Sequence, residues 1–115
     1  MPILITNISN NLVKEAIKLI QAEKTIVILN KGLELDIHTP YQVEYVDLLD
    51  PEKTSSHIRD ILKRAVQEGE VELALEADAM GLKILESAKD YEIFKKKNIF
   101  VVKDGKIDKF KACLC

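Results

Sequence analysis

The chain reads as an α/β protein built on a small, mostly parallel sheet flanked by helices and closed by a C-terminal hairpin. Three observations predict this. Short runs such as PILIT (residues 2–6), TIVIL (25–29) and IFVV (99–102) have the unbroken hydrophobicity of strands covered on both faces. Stretches between them carry apolar residues at three- and four-residue spacing, the pattern of helices with one buried stripe. The pair Asp104-Gly105 marks a tight hairpin turn near the end.

Residues 2–6 form the first strand, and Asn7, Ser9 and Asn10 behind it are good helix-capping residues. Leu12, Val13, Ala16, Ile17, Leu19 and Ile20 then recur on one stripe, with Lys14, Glu15 and Lys18 outside it, which predicts a helix over 12–22. Residues 25–29 are the second strand, ended by Asn30-Lys31-Gly32, so the first thirty residues make a βαβ unit. Residues 33–40 are irregular and contain His38. Residues 41–48 (YQVEYVDL) alternate and predict a strand suited to a sheet edge.

Asp50-Pro51 is a helix start, since proline suits the first turn and aspartate caps it. Ile58, Ile61, Leu62, Ala65 and Val66 supply the buried stripe of a helix that ends near Gly69. Residues 71–75 read as a strand, but the surrounding glutamates and alanines also permit helix, and propensity alone does not decide. Residues 77–87 hold a short helix broken at Gly81, or a turn leading into a strand at 82–85. Residues 90–97 read as a helical turn and 99–102 as a buried strand. The hairpin then returns residues 106–112 antiparallel beside it.

A length of 115 residues suits a single α/β domain over 1–115. The formal charge of -2 offers no field to collect polyanions, so nucleic acid is not an expected direct partner. The apolar runs fall well short of the ~20 residues that span a bilayer, and the N-terminus lacks a basic region followed by an apolar stretch, so export is not expected. No membrane association is expected. Two cysteines, Cys113 and Cys115, cannot build a disulfide framework, and a reducing cytoplasm fits best.

The four glycines are scattered, which leaves no phosphate-binding loop, and neither a nucleophile elbow nor a zinc ligand set has its spacing. No cofactor and no metal are expected. His38 and His57 have no acidic or thiol partner nearby in sequence, so solvated or capping roles suit them better than acid/base work. Asp47, Asp50 and Glu52 lack regular ligand spacing and read as a solvated loop rim.

Two places remain as candidate sites. The loop with Asn7, Ser9, Asn10 and Asn11 follows the first strand, where ligands gather in open α/β sheets, and is a candidate anion loop; plain helix capping explains the same residues without a ligand. At the other end of the sequence, Cys113 and Cys115 are two thiols separated by one residue. They are candidate sulfur carriers through thiolate chemistry, although only Lys111 is near enough to lower a thiol pKa. Two thiols alone supply half a zinc site, so a metal would need a second chain.

Three short matches, in the right order, carry a family resemblance. The stretch 25–33 (TIVILNKGL) resembles the strand-and-turn of DsrH/TusB-like proteins of the DsrE/DsrF/DsrH sulfur-relay superfamily. The stretch 71–78 (VELALEAD), followed by Gly81-Leu82, resembles that group's strand ending in Ala-Leu-x-x-Asp, and 90–94 (DYEIF) is similar to its Asp-Tyr-x-x-Phe. The gap from Asp78 to Gly81 is shorter than in the family, a segment around 41–51 is extra, and the final hairpin is added.

This resemblance implies a flavodoxin-like three-layer sandwich that assembles into homo- or hetero-oligomers with related α/β chains. It implies a role in relaying persulfide sulfur, for instance toward tRNA thiolation. In DsrE-like members the sulfur-carrying cysteine follows a central strand, about where this chain has Ala74 to Ala77. DsrH/TusB-like members commonly lack that cysteine and serve as assembly partners, which suits this chain. If the chain itself carries sulfur, Cys113 or Cys115 must do so, and enzymatic activity goes no further than a sulfur-carrier component. The alternative is a non-catalytic ligand-binding or regulatory module that recognises a small anion or nucleotide at the loop after the first strand.

Overall fold

The computed structural model describes residues 2–35, 41–89 and 98–111. Strand β1 (Pro2–Thr6) leads into helix α1 (Leu12–Ile20) and strand β2 (Lys24–Asn30), the expected βαβ unit. Strand β3 (Gln42–Val46) follows, then helix α2 (Pro51–Glu68), strand β4 (Glu70–Glu76), helix α3 (Ala79–Ala88) and the strands β5 (Asn98–Lys103) and β6 (Lys106–Lys111). The six strands form one sheet in the order β3-β2-β1-β4-β5-β6. All neighbours run parallel except β5 and β6. The architecture is the α/β sandwich with a C-terminal hairpin that the sequence predicts.

Layering follows from chain direction. After β1 the chain moves one way across the sheet to β2 and β3; after α2 it moves the other way, to β4 and β5. Right-handed crossovers therefore place α1 on one face and α2 and α3 on the opposite one. The core divides accordingly. Ile3, Ile5, Ile26, Ile28, Val71 and Leu73 pack with Ile58, Leu62 and Ala65 of α2 and Ile84 of α3. Leu4, Ala74 and Val102, from the other face, pack with Val13 and Ala16 of α1.

Residues 71–75, which propensity left between strand and helix, lie within β4, paired with β1 on one side and β5 on the other. Burial on both faces explains why the run contains Val71, Leu73, Ala74 and Leu75 without the alternation of a half-exposed strand. Gly81 does not break the following helix. A Cβ at Gly81 would stand 1.9 Å from the Glu76 carbonyl oxygen, so glycine is what lets the first turn of α3 lie against the end of β4. The alternative strand at 82–85 is replaced by this continuous helix.

The helix starts are set by side chains. Asp50 accepts from the Lys53 amide with Pro51 in the first turn, and Asp78 accepts from the Gly81 amide at 2.9 Å. Asp104 and Gly105 both have positive φ, 53° and 74°, as a two-residue hairpin turn requires.

Candidate functional site: the crevice at the sheet switch point

Because β1 connects toward β2 while β4 connects toward β5, the loops leaving these two adjacent strands diverge to opposite faces. The carboxyl ends of β1 and β4 are therefore the switch point of the sheet, the position at which open α/β sheets form a ligand-binding crevice. Asn7, Ser9, Asn10 and Asn11 of the candidate anion loop form one wall. Glu76 and Asp78, neither of them a candidate site residue in the sequence, form the other.

Asn7 is only 6% exposed and ties the two walls together. Its side-chain oxygen accepts from the Glu76 amide at 2.7 Å, and its Nδ2 donates to Asp78 Oδ1 at 2.8 Å and, at 3.5 Å, to the Glu76 carbonyl oxygen. Asp78 accepts at the same time from Asn7 and from the Gly81 amide, so one carboxylate holds both the loop and the start of α3. Asn10 donates to Glu76 Oε1 at 3.5 Å. Burial, and then the nearby Asp78 charge, raise the Glu76 carboxyl above its usual value, while the Asn10 hydrogen bond acts in the opposite sense.

The start of α1 is already satisfied from within. Asn10 Oδ1 accepts from the Leu12 amide at 2.9 Å, and the Asn10 and Asn11 carbonyls accept from Val13 and Lys14. Asn11 occupies the cap position without a side-chain cap bond, and Ser9 is half-buried beside it. An anion at this helix would compete with Asn10 for the amides it needs.

His57 has a partner that sequence distance concealed: Nε2 lies 3.5 Å from Glu44 Oε2, because α2 passes over β3. Asp47 and Asp50, read as a loop rim, hold local structure. Asp47 accepts from the Leu49 amide through Oδ1 and from the Thr54 hydroxyl through its carbonyl, and Asp50 caps α2. Beside the crevice, on the α3 side, an apolar cleft of about 280 Å³ is lined by Leu75, Leu82, Leu85, Ile99 and Val101.

Cys113 and Cys115 lie outside the described residues, as do His38, the 90–94 stretch of the family resemblance and the end of the expected strand at 112. The last described residue, Lys111, pairs with Asn98, the first residue of β5. The chain thus leaves β6 at the amino ends of the parallel strands, away from the crevice.

Fold and crevice together define a doubly wound α/β protein with a polar, internally bonded switch point. No family model matches the chain, and no curated protein matches it. Among the described residues, no helix is long and apolar enough to cross a membrane, and no three His, Cys, Asp or Glu side chains form a group that could hold a metal ion.

Proposed function

We propose that the chain is a small cytoplasmic sulfur-relay subunit of the DsrH/TusB type, an assembly partner for related α/β chains, with any sulfur it carries held on Cys113 or Cys115. One observation carries this reading. The segment that resembles the family's central strand lies in the middle of the parallel sheet as β4, and its carboxyl end reaches the switch point through Ala74, Leu75, Glu76 and Ala77, with no thiol. An asparagine-carboxylate network occupies the place from which a DsrE-like cysteine would act, as suits a partner that supports transfer on another chain.

The anion-module alternative draws less support, because Asn10 already takes the Leu12 amide. For the carrier form, a tail thiolate attacks the outer sulfur of a donor persulfide. The donor's S–S bond breaks, the donor leaves as a thiolate, and the protein gains one sulfur as a cysteine persulfide.

Incubation with a small-molecule persulfide followed by intact mass measurement separates the forms. A gain of one sulfur atom, lost in Cys113→Ser or Cys115→Ser, supports the carrier form. No gain in the wild type leaves the assembly form alone, which requires co-elution with a related cysteine-bearing chain and falls if no such complex forms. Ligand binding that is lost in Asn10 and Asn11 substitutions while both serine variants behave as wild type would replace this reading with the anion module.

A further inference from the structure

The two edges of the sheet are chemically different. β6 carries Lys106 and Asp108, and a lysine on an edge strand discourages the addition of another strand. β3, the opposite edge, is QVEYV, with neither lysine nor proline, and no bulge interrupts its ladder with β2. Tyr45 is 49% exposed on it, and Leu49, just beyond its end, is 93% exposed.

The backbone of β3 has a defined outward row. The Val46 carbonyl accepts from the Lys31 amide, so Val46 points its polar groups toward β2, and by alternation Glu44 and Gln42 do the same. The N–H and C=O groups of Val43 and Tyr45 therefore face away from the sheet. Among the described residues, no strand pairs with them.

We infer that β3 is a self-pairing edge, where a second copy of this chain adds its own β3 antiparallel about a twofold axis through Val43. Of the registers centred on Val43, Glu44 and Tyr45, only the first satisfies both backbone and side chains. Centred on Val43, that residue meets the partner's Val43 as a hydrogen-bonded pair, and Tyr41 faces the partner's Tyr45. On the other face, Gln42 stands opposite the partner's Glu44, an amide donor against a carboxylate, the same pairing that Gln42 and Glu44 already make within one chain at 3.0 Å. A register centred on Glu44 sets two carboxylates opposite each other, which is destabilising. Centring on Tyr45 sets Glu44 against buried Val46 and Val43 against Asp47. The Val43 register also brings exposed tyrosine surface from each copy over the other's Tyr41.

This surface deepens the proposed function and rests on it for the expectation that the chain assembles, but it requires nothing of sulfur chemistry. Paired Val43 Cα atoms would be about 5.5 Å apart, within disulfide range. In a background with both native cysteines replaced by serine, Val43→Cys should cross-link into a dimer on mild oxidation, and Lys106→Cys on the other edge should not. Val43→Pro removes an outward N–H that the β2 ladder does not use, so the fold should persist by circular dichroism while the mass read by light scattering halves.

A wild-type protein that is monomeric at its highest soluble concentration overturns the inference, including the case in which this edge instead receives a strand from a different protein. A dimer that survives Val43→Pro, or a Val43→Cys variant that stays uncross-linked, also overturns it while leaving assembly through another surface intact. Failure of the sulfur-transfer experiment leaves this result untouched.

Discussion

Asn7 Nδ2 donates to Asp78 Oδ1 at 2.8 Å, joining the end of the first strand to the cap of the last described helix across 71 positions of sequence. This bond and the Glu76 amide bond to the Asn7 side chain fix the width of the switch-point crevice. They also set what substitutions there should do.

Asn7→Ala leaves the half-buried Glu76 amide without its partner, while Asp78 Oδ1 keeps the Gly81 amide. The expected cost is ~1–3 kcal/mol, the penalty of an unsatisfied buried polar group, read as a lower urea midpoint with an unchanged slope. Asn7→Asp should be worse than Asn7→Ala at neutral pH, because it replaces the donor to Asp78 with a third carboxylate. If acidification narrows that difference, charge repulsion is its source.

Gly81→Ala should destabilise by at least ~1–3 kcal/mol, the usual cost of overpacking, since the new methyl would meet the Glu76 carbonyl oxygen at 1.9 Å and that oxygen belongs to the backbone. Helix propensity alone would make this substitution stabilising by up to ~1 kcal/mol. The sign of the change in thermal midpoint therefore reports directly on the close approach of α3 to β4.

Glu76 supplies a pH dependence. Its carboxyl stands above the usual value in the fold, so folding favours the protonated form. That stabilisation is complete below the unfolded carboxyl's pKa and is lost as pH rises through the folded one. Wild type should gain stability relative to Glu76→Gln as pH falls from neutral through the carboxylate range. Parallel stability curves for the two proteins across that range would refute this assignment.

Leu73 and Leu82 belong to neighbouring elements but lie in opposite environments, 2% and 60% exposed. Leu73→Ala should cost ~2–5 kcal/mol, as for other buried leucines. Leu82→Ala, at the rim of the apolar cleft, should stay within ~0.5 kcal/mol. Denaturant titration of both variants tests the placement of β4 in the sheet interior.

Local elements whose signals are complete within a few residues are legible in the amino-acid order alone. TIVIL needs no context to read as a doubly covered strand, Asp50-Pro51 starts α2 and Asp104-Gly105 forces the hairpin, because backbone geometry, capping and burial demand act over short range. Residues 71–75 and Gly81 were different. Alanine and glutamate suit helix as well as strand, and only the flanking strands β1 and β5 decide the matter by burying both faces. The glycine is explained by a carbonyl five residues away that is close only once α3 has folded against β4. The crevice was half legible: Asn7 and Asn10 are marked by their position after a strand and Asp78 by the Ala-Leu-x-x-Asp pattern, whereas Glu76 and the Glu44 partner of His57 carry no local signal. Their roles depend on strand order, and strand order is settled by which apolar faces can be buried together under right-handed crossovers, a property of the whole chain.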